Sequence, residues 1–166
     1  MRFLVLLLIL HLASAAPTQA PSDFTIVNLY AEVVPHSSSS RYSFDLSTGS
    51  NSIATSCVAT PQTESNGELV NVTRTPCDDD PRYTWAWTIV TTTAGSSSGS
   101  EDREQDATTN ATCNIEYWFV GPRYSLYAAH HVPADQIVWT NLQSPTGTVQ
   151  AYAGPANFTV PVESVY

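Results

Sequence analysis

Tyr83-Thr84-Trp85-Ala86-Trp87-Thr88-Ile89-Val90-Thr91-Thr92-Thr93 is the stretch on which the fold turns. Large apolar side chains stand at 83, 85, 87 and 89, with Thr84, Ala86, Thr88 and Val90 between them. A period of two puts consecutive side chains on opposite faces of an extended chain, so this segment reads as a strand. Its aromatic and β-branched residues suit a pleated surface. The Tyr83, Trp85 and Trp87 face has two readings. Flat rings exposed in a row would stack sugar rings, as in a carbohydrate-binding module. Packed inward they would each bury about 150–250 Å² of a sheet's core face, and large aromatics at this period favour the core. Trp118 and Trp139 carry the same ambiguity.

Upstream of this strand, Phe24 to Val34 is β-rich until Pro35 stops it, and His36 with Ser37–Ser40 forms a polar connector. Tyr42, Phe44 and Leu46 alternate with Arg41, Ser43 and Asp45, the pattern of a half-buried strand. The segment 51–58 repeats it more weakly, and 69–73 is a short candidate after the turn pair Asn66-Gly67. Downstream, 94–112 is rich in Ser, Gly, Thr and acid, lacks apolar periodicity, and reads as one long loop with at most a helical turn at 101–105. Five further strands follow at 115–120, 124–131, 137–142, 148–152 and 158–162, broken by Gly-Pro, Val-Pro, Ser-Pro and Gly-Pro pairs. About nine or ten short strands with no helical period predict an all-β domain, an antiparallel barrel or sandwich.

The N-terminus supplies an address. Met1-Arg2, an apolar run from Phe3 to Leu10 and small residues at Ala13 and Ala15 make a secretory signal peptide over 1–15. Residues 16–22 are then a flexible lead, and 23–166 a single domain. Secretion gives meaning to three sequons, at Asn71, Asn110 and Asn157. It also makes a disulfide expected among Cys57, Cys77 and Cys113. Three one-bridge pairings exist. Cys57–Cys77 closes the shortest loop and is favoured, leaving Cys113 unpaired or available to a second chain.

The chain of 166 residues has six Arg, no Lys and fifteen acids, a net charge of -9, and 39 Ser plus Thr. Nucleic-acid binding and polybasic membrane association both need a basic patch that this chain cannot assemble. The C-terminus lacks the hydrophobic tail of a lipid-anchor signal. Gly95-Ser96-Ser97-Ser98-Gly99 matches a nucleophile elbow in letters only, since no helix signal follows. His130-His131 with Asp135 and His36 is a weak metal candidate, because adjacent strand residues point apart. Asp78-Asp79-Asp80 reads as a solvated turn and not as a calcium loop, whose ligands would alternate. Glu116, between aromatic neighbours, is the best candidate for a glycosidase carboxylate. A hydrolase needs a second one facing it, and no spacing selects Glu32 or Glu68. No cofactor or metal is expected.

One further pattern spans residues 24–90. The opening strand with Phe24, Ile26, Leu29 and Tyr30 precedes a Ser-rich gap, Tyr42-x-Phe44, Thr55-Ser56-Cys57-Val58-Ala59, Cys77 and Tyr83-x-Trp85-x-Trp87. This order resembles the secreted fungal proteins related to the major Alternaria allergen. The resemblance implies a disulfide-bridged β-barrel released by a filamentous fungus. It also implies a non-catalytic allergen, elicitor or effector that contacts host defence proteins or small ligands. Only Cys57 and Cys77 carry over as site residues. The second intrachain bridge of that family has no counterpart, since Cys113 stands alone, and its dimer-forming cysteine is absent. The expectation is therefore a secreted, glycosylated binding protein that is not an enzyme, with a carbohydrate-binding or wall-associated module as the alternative and a small hydrolase using Glu116 behind both.

Overall fold

The computed structural model describes residues 21–48, 54–63, 67–93, 107–118, 125–143 and 146–165. The signal segment, the 95–99 run and the 101–105 turn lie outside them. Among the described residues eleven strands occur: β1 (Asp23–Val33), β2 (Ser40–Thr48), β3 (Thr55–Ala59), β4 (Val72–Pro76), β5 (Tyr83–Thr93), β6 (Ala107–Trp118), β7 (Ser125–Val132), β8 (Ile137–Gln143), β9 (Thr146–Tyr152), β10 (Phe158–Pro161) and β11 (Ser164–Val165). One 3-10 turn covers Ala134–Gln136. The strands form two antiparallel sheets. One runs β3-β2-β1-β9-β8 with β10 also beside β1, and the other runs β11-β7-β6-β5-β4. They make a sandwich and do not close into a barrel.

β1 shows how sequence sets packing. Phe24 and Ile26 point inward, and strict alternation would then turn Leu29, Ala31 and Val33 to solvent. A bulge between Val27 and Tyr30 inserts the residue that restores them to the core. Asn28 takes the left-handed conformation this requires, φ 59°, which Asn tolerates better than most residues. Its backbone N–H donates to Asn157 Oδ1 at 2.8 Å, and Leu29 N–H to the Ala156 carbonyl at 2.8 Å. The edge of β1 meets β10 before the bulge and β9 after it.

The two sheets bury their facing aromatics. Trp85 and Trp87 are 1% and 0% exposed, so the Tyr83, Trp85 and Trp87 face is core and not a sugar platform. Trp87 packs against Tyr42 at 5.5 Å and edge-on to Tyr152 at 6.3 Å between ring centroids. Phe44 meets Trp85 edge-on at 5.1 Å. These contacts cross from one sheet to the other. Cys57 of β3 is bonded to Cys77, just past β4, which fastens the two sheets at one edge.

Two segments differ from the sequence reading. The expected loop 94–112 is already strand from Ala107, where Thr88 faces Thr112, Thr91 faces Thr109 and Thr92 faces Thr108. Threonine pairs hold a ladder together without any apolar period. The expected strand 69–73 lies at 72–76 instead, and Leu69 is buried from the approach to it. That approach is fixed at Gly67, φ +76°, whose carbonyl accepts from Gln150 N–H at 2.8 Å. A Cβ there would stand 2.6 Å from the Thr148 carbonyl oxygen, so the position is closed to other residues.

Cys113 sits in β6, fully buried and unbonded. In the folded chain it is out of reach of a second molecule. Burial pushes its thiol up to about 12. Native protein is therefore expected to leave Ellman's reagent unreacted, with one thiol appearing on denaturation. Prompt reaction of native protein would contradict this core.

Candidate functional site

Inward alternation on β5 and β6 leaves Thr84, Ala86, Asn114, Glu116 and Trp118 on the outer face of the five-stranded sheet. Register brings Thr84 opposite Glu116, Ala86 opposite Asn114, and Tyr127 of β7 opposite Glu116 on its other side. Arg74 reaches in from β4. Its Nε donates to Thr84 Oγ1 at 3.0 Å, its Nη2 donates to Glu116 Oε2, and its guanidinium lies 5.4 Å from the centre of the Trp118 ring. Tyr127 OH donates to Asn114 Oδ1 at 2.7 Å. Trp118 remains 48% exposed. Beside these groups is a depression of only about 80 Å³. Pockets that enclose small molecules run to about 300–1,000 Å³, so this one is a surface and not a cavity.

Glu116 is thus paired with a cation. Glu32, one proposed partner, lies on the other sheet, where Tyr30 OH donates to it, and Glu68 is exposed ahead of β4. The Glu32 contact pushes the Tyr30 hydroxyl up to about 12. Neither carboxylate is opposed to Glu116 across a cleft, as glycoside hydrolysis demands.

The histidines diverge. His131 is exposed, whereas His130 points inward and stacks on Phe158 with 4.0 Å between ring centroids. His36 lies in the β1–β2 turn and Asp135 in the 3-10 turn. Among the described residues no three or more His, Cys, Asp or Glu converge. His130 Nε2 is buried with no hydrogen-bond partner among the described residues. Burial, and secondarily His131, lower its pKa below the ordinary 6.5. The unfolded chain then gains a proton near that value which the folded chain does not, so stability should fall as pH drops below about 6.5. Urea midpoints at pH 7.5 and 5.5 test this. His130→Phe should reduce the difference, and an unchanged difference would refute the assignment.

Asp78–Asp80 form a turn beside the disulfide. Asp78 N–H donates to the Ser56 carbonyl at 2.8 Å, and Arg82 Nε donates to Asp80 Oδ1 at 2.8 Å. The Arg82 contact holds the Asp80 carboxyl below its usual range. Of the sequons, Asn71 and Asn157 are exposed and Asn110 is half-buried on β6. Asn71 Oδ1 accepts from Ile89 N–H at 2.6 Å, and Asn157 caps the β1 bulge, so two of the three also serve as backbone acceptors.

A larger opening of about 450 Å³ lies between the β3 and β4 edges, lined by residues such as Val58, Pro61, Asn71 and Thr75. It has no titratable side chain and no aromatic ring in its lining. Glu116 stands out in the sequence by its aromatic neighbours, whereas Arg74 lies 42 positions away and belongs to no motif. Comparison of the chain with protein-family models, with curated proteins and with solved structures gives no match.

Proposed function

We propose that this is an extracellular, non-catalytic binding protein that makes its contacts through the outer face of β4–β7. The observation that carries the reading is the cluster of Arg74, Glu116 and Trp118, held in place by one another on an open sheet. Preset polar groups around an exposed aromatic suit recognition. A lone carboxylate already paired with Arg suits hydrolysis poorly. The signal-peptide pattern at 1–15 and the Cys57–Cys77 bond support action outside the cell. The likeness of 24–90 to the Alternaria-allergen-related proteins supports the same class, a released protein that works by contact with host material or a small ligand.

The test begins with the full chain expressed in a secreting host and recovered from the medium, its N-terminus read for Ala16. Immobilised protein is then exposed to cell-wall polysaccharide and to apoplastic protein. Retention should survive Trp139→Ala on the opposite sheet and be lost in Arg74→Ala/Trp118→Ala. Loss in the Trp139 variant alone would move the contact face elsewhere. A polysaccharide-cleaving activity abolished by Glu116→Gln would overturn the non-catalytic reading.

A further inference from the structure

We infer that the Arg74–Glu116–Trp118 cluster is a binding site for a neutral pyranosyl glycan, one ring of which lies against the Trp118 indole. This rests on the reading of the outer β4–β7 face as the contact surface. A pyranose offers an apolar C–H face and a rim of hydroxyls, each both donor and acceptor. A site for it needs a flat aromatic surface beside fixed donors and fixed acceptors. Trp118, 48% exposed, supplies the first through the part of its ring that the Arg74 guanidinium does not cover. Arg74 supplies donors only, and two of its five N–H groups are engaged by Thr84 and Glu116. Glu116 supplies acceptors only, and Asn114 supplies an amide oriented by Tyr127.

Both ends of the site are preordered. The Glu116 side of the ion pair is 21% exposed and the Arg74 side 52%, so the pair is reachable yet constrained by its partners. Held side chains lose less entropy on binding than free ones. The shallow depression is bordered by Arg74, Asn114, Glu116 and Tyr127 and not by Trp118, so it can take hydroxyls at the rim of the sugar while the ring lies on the indole. Charge selects among glycans. Arg74 and Glu116 cancel, and the rest of a chain at -9 repels polyanions. Trp139 is as exposed as Trp118, at 50%, but no comparable ion pair lies against it among the described residues.

Calorimetric titration of the secreted protein with cello-, laminari-, chito- and mannohexaose, and with polygalacturonate as the anionic control, tests the assignment. At least one neutral hexasaccharide should bind. Trp118→Ala should weaken it at least tenfold, Arg74→Ala should also weaken it, and Trp139→Ala should change it less than twofold. Circular dichroism and the urea midpoint of Trp118→Ala should match the parent. Absence of binding by every neutral sugar at millimolar concentration, tighter binding of polygalacturonate, or full affinity in Trp118→Ala would each overturn the proposal. If the sugars fail while the Arg74/Trp118 variant still loses apoplastic protein, the contact face stands and the glycan class falls. If neither is affected, the face itself is wrong.

Discussion

Trp87→Ala should lower the folding free energy by about 3–5 kcal/mol, the cost of emptying a large aromatic site in a closed core. Trp87 is fully buried and touches rings from the opposite sheet, Tyr42 of β2 and Tyr152 of β9. Its loss therefore removes contacts across the sandwich as well as along one sheet. Native domains have about 5–15 kcal/mol in total, so this single change consumes much of the margin. Trp87→Phe should cost clearly less. The indole N–H has no acceptor among the described residues, so the replacement forfeits area and no hydrogen bond. Guanidinium unfolding of the three proteins checks the order. A Trp87→Ala midpoint indistinguishable from the parent would mean that the ring is not in the core.

Replacing both Cys57 and Cys77 with Ser should cost about 3 kcal/mol, from the 20-residue separation that the bond closes in the unfolded chain. Here the native state gives a second reason. β3 and β4 are the outer strands of different sheets, and the bond together with Asp78 N–H to the Ser56 carbonyl joins them. Without it, the opening beside Asn71 should gape, and amide exchange in β3 should accelerate before that in β1. Measured midpoints with and without reductant give the thermodynamic part. Uniform acceleration across all strands would assign the bond a purely unfolded-state role.

Legibility in the sequence followed side-chain size. Tyr83–Thr93 was readable because bulky rings alternate with small residues, and the strand has those bounds. The start of β6 was hidden because its ladder is built from Thr pairs, which carry β preference but no apolar contrast. The bulge at Asn28 breaks the period that reveals a strand while preserving the buried face. Barrel and sandwich were inseparable by pattern, since closure depends on which edges pair. The same limit applies to the candidate site. Glu116 and Trp118 stand out locally, but the ion pair with Arg74 exists only through the β4–β5–β6 register.

The handover at the β1 bulge also constrains the order of assembly. Residue 28 is held by residue 157, and Asp23–Ile26 pair with Phe158–Pro161, nearly the full length of the domain away. Pairings of such long range slow folding, since the loop must close before the contact rewards it. During synthesis, β5 and β6 can zip soon after they emerge, while β1 keeps an unpaired edge until the last strands arrive. Closure of this sheet should thus wait for Phe158–Pro161, with the Asn157 cap among its final steps, and the edge of the first strand is the one that stays open meanwhile.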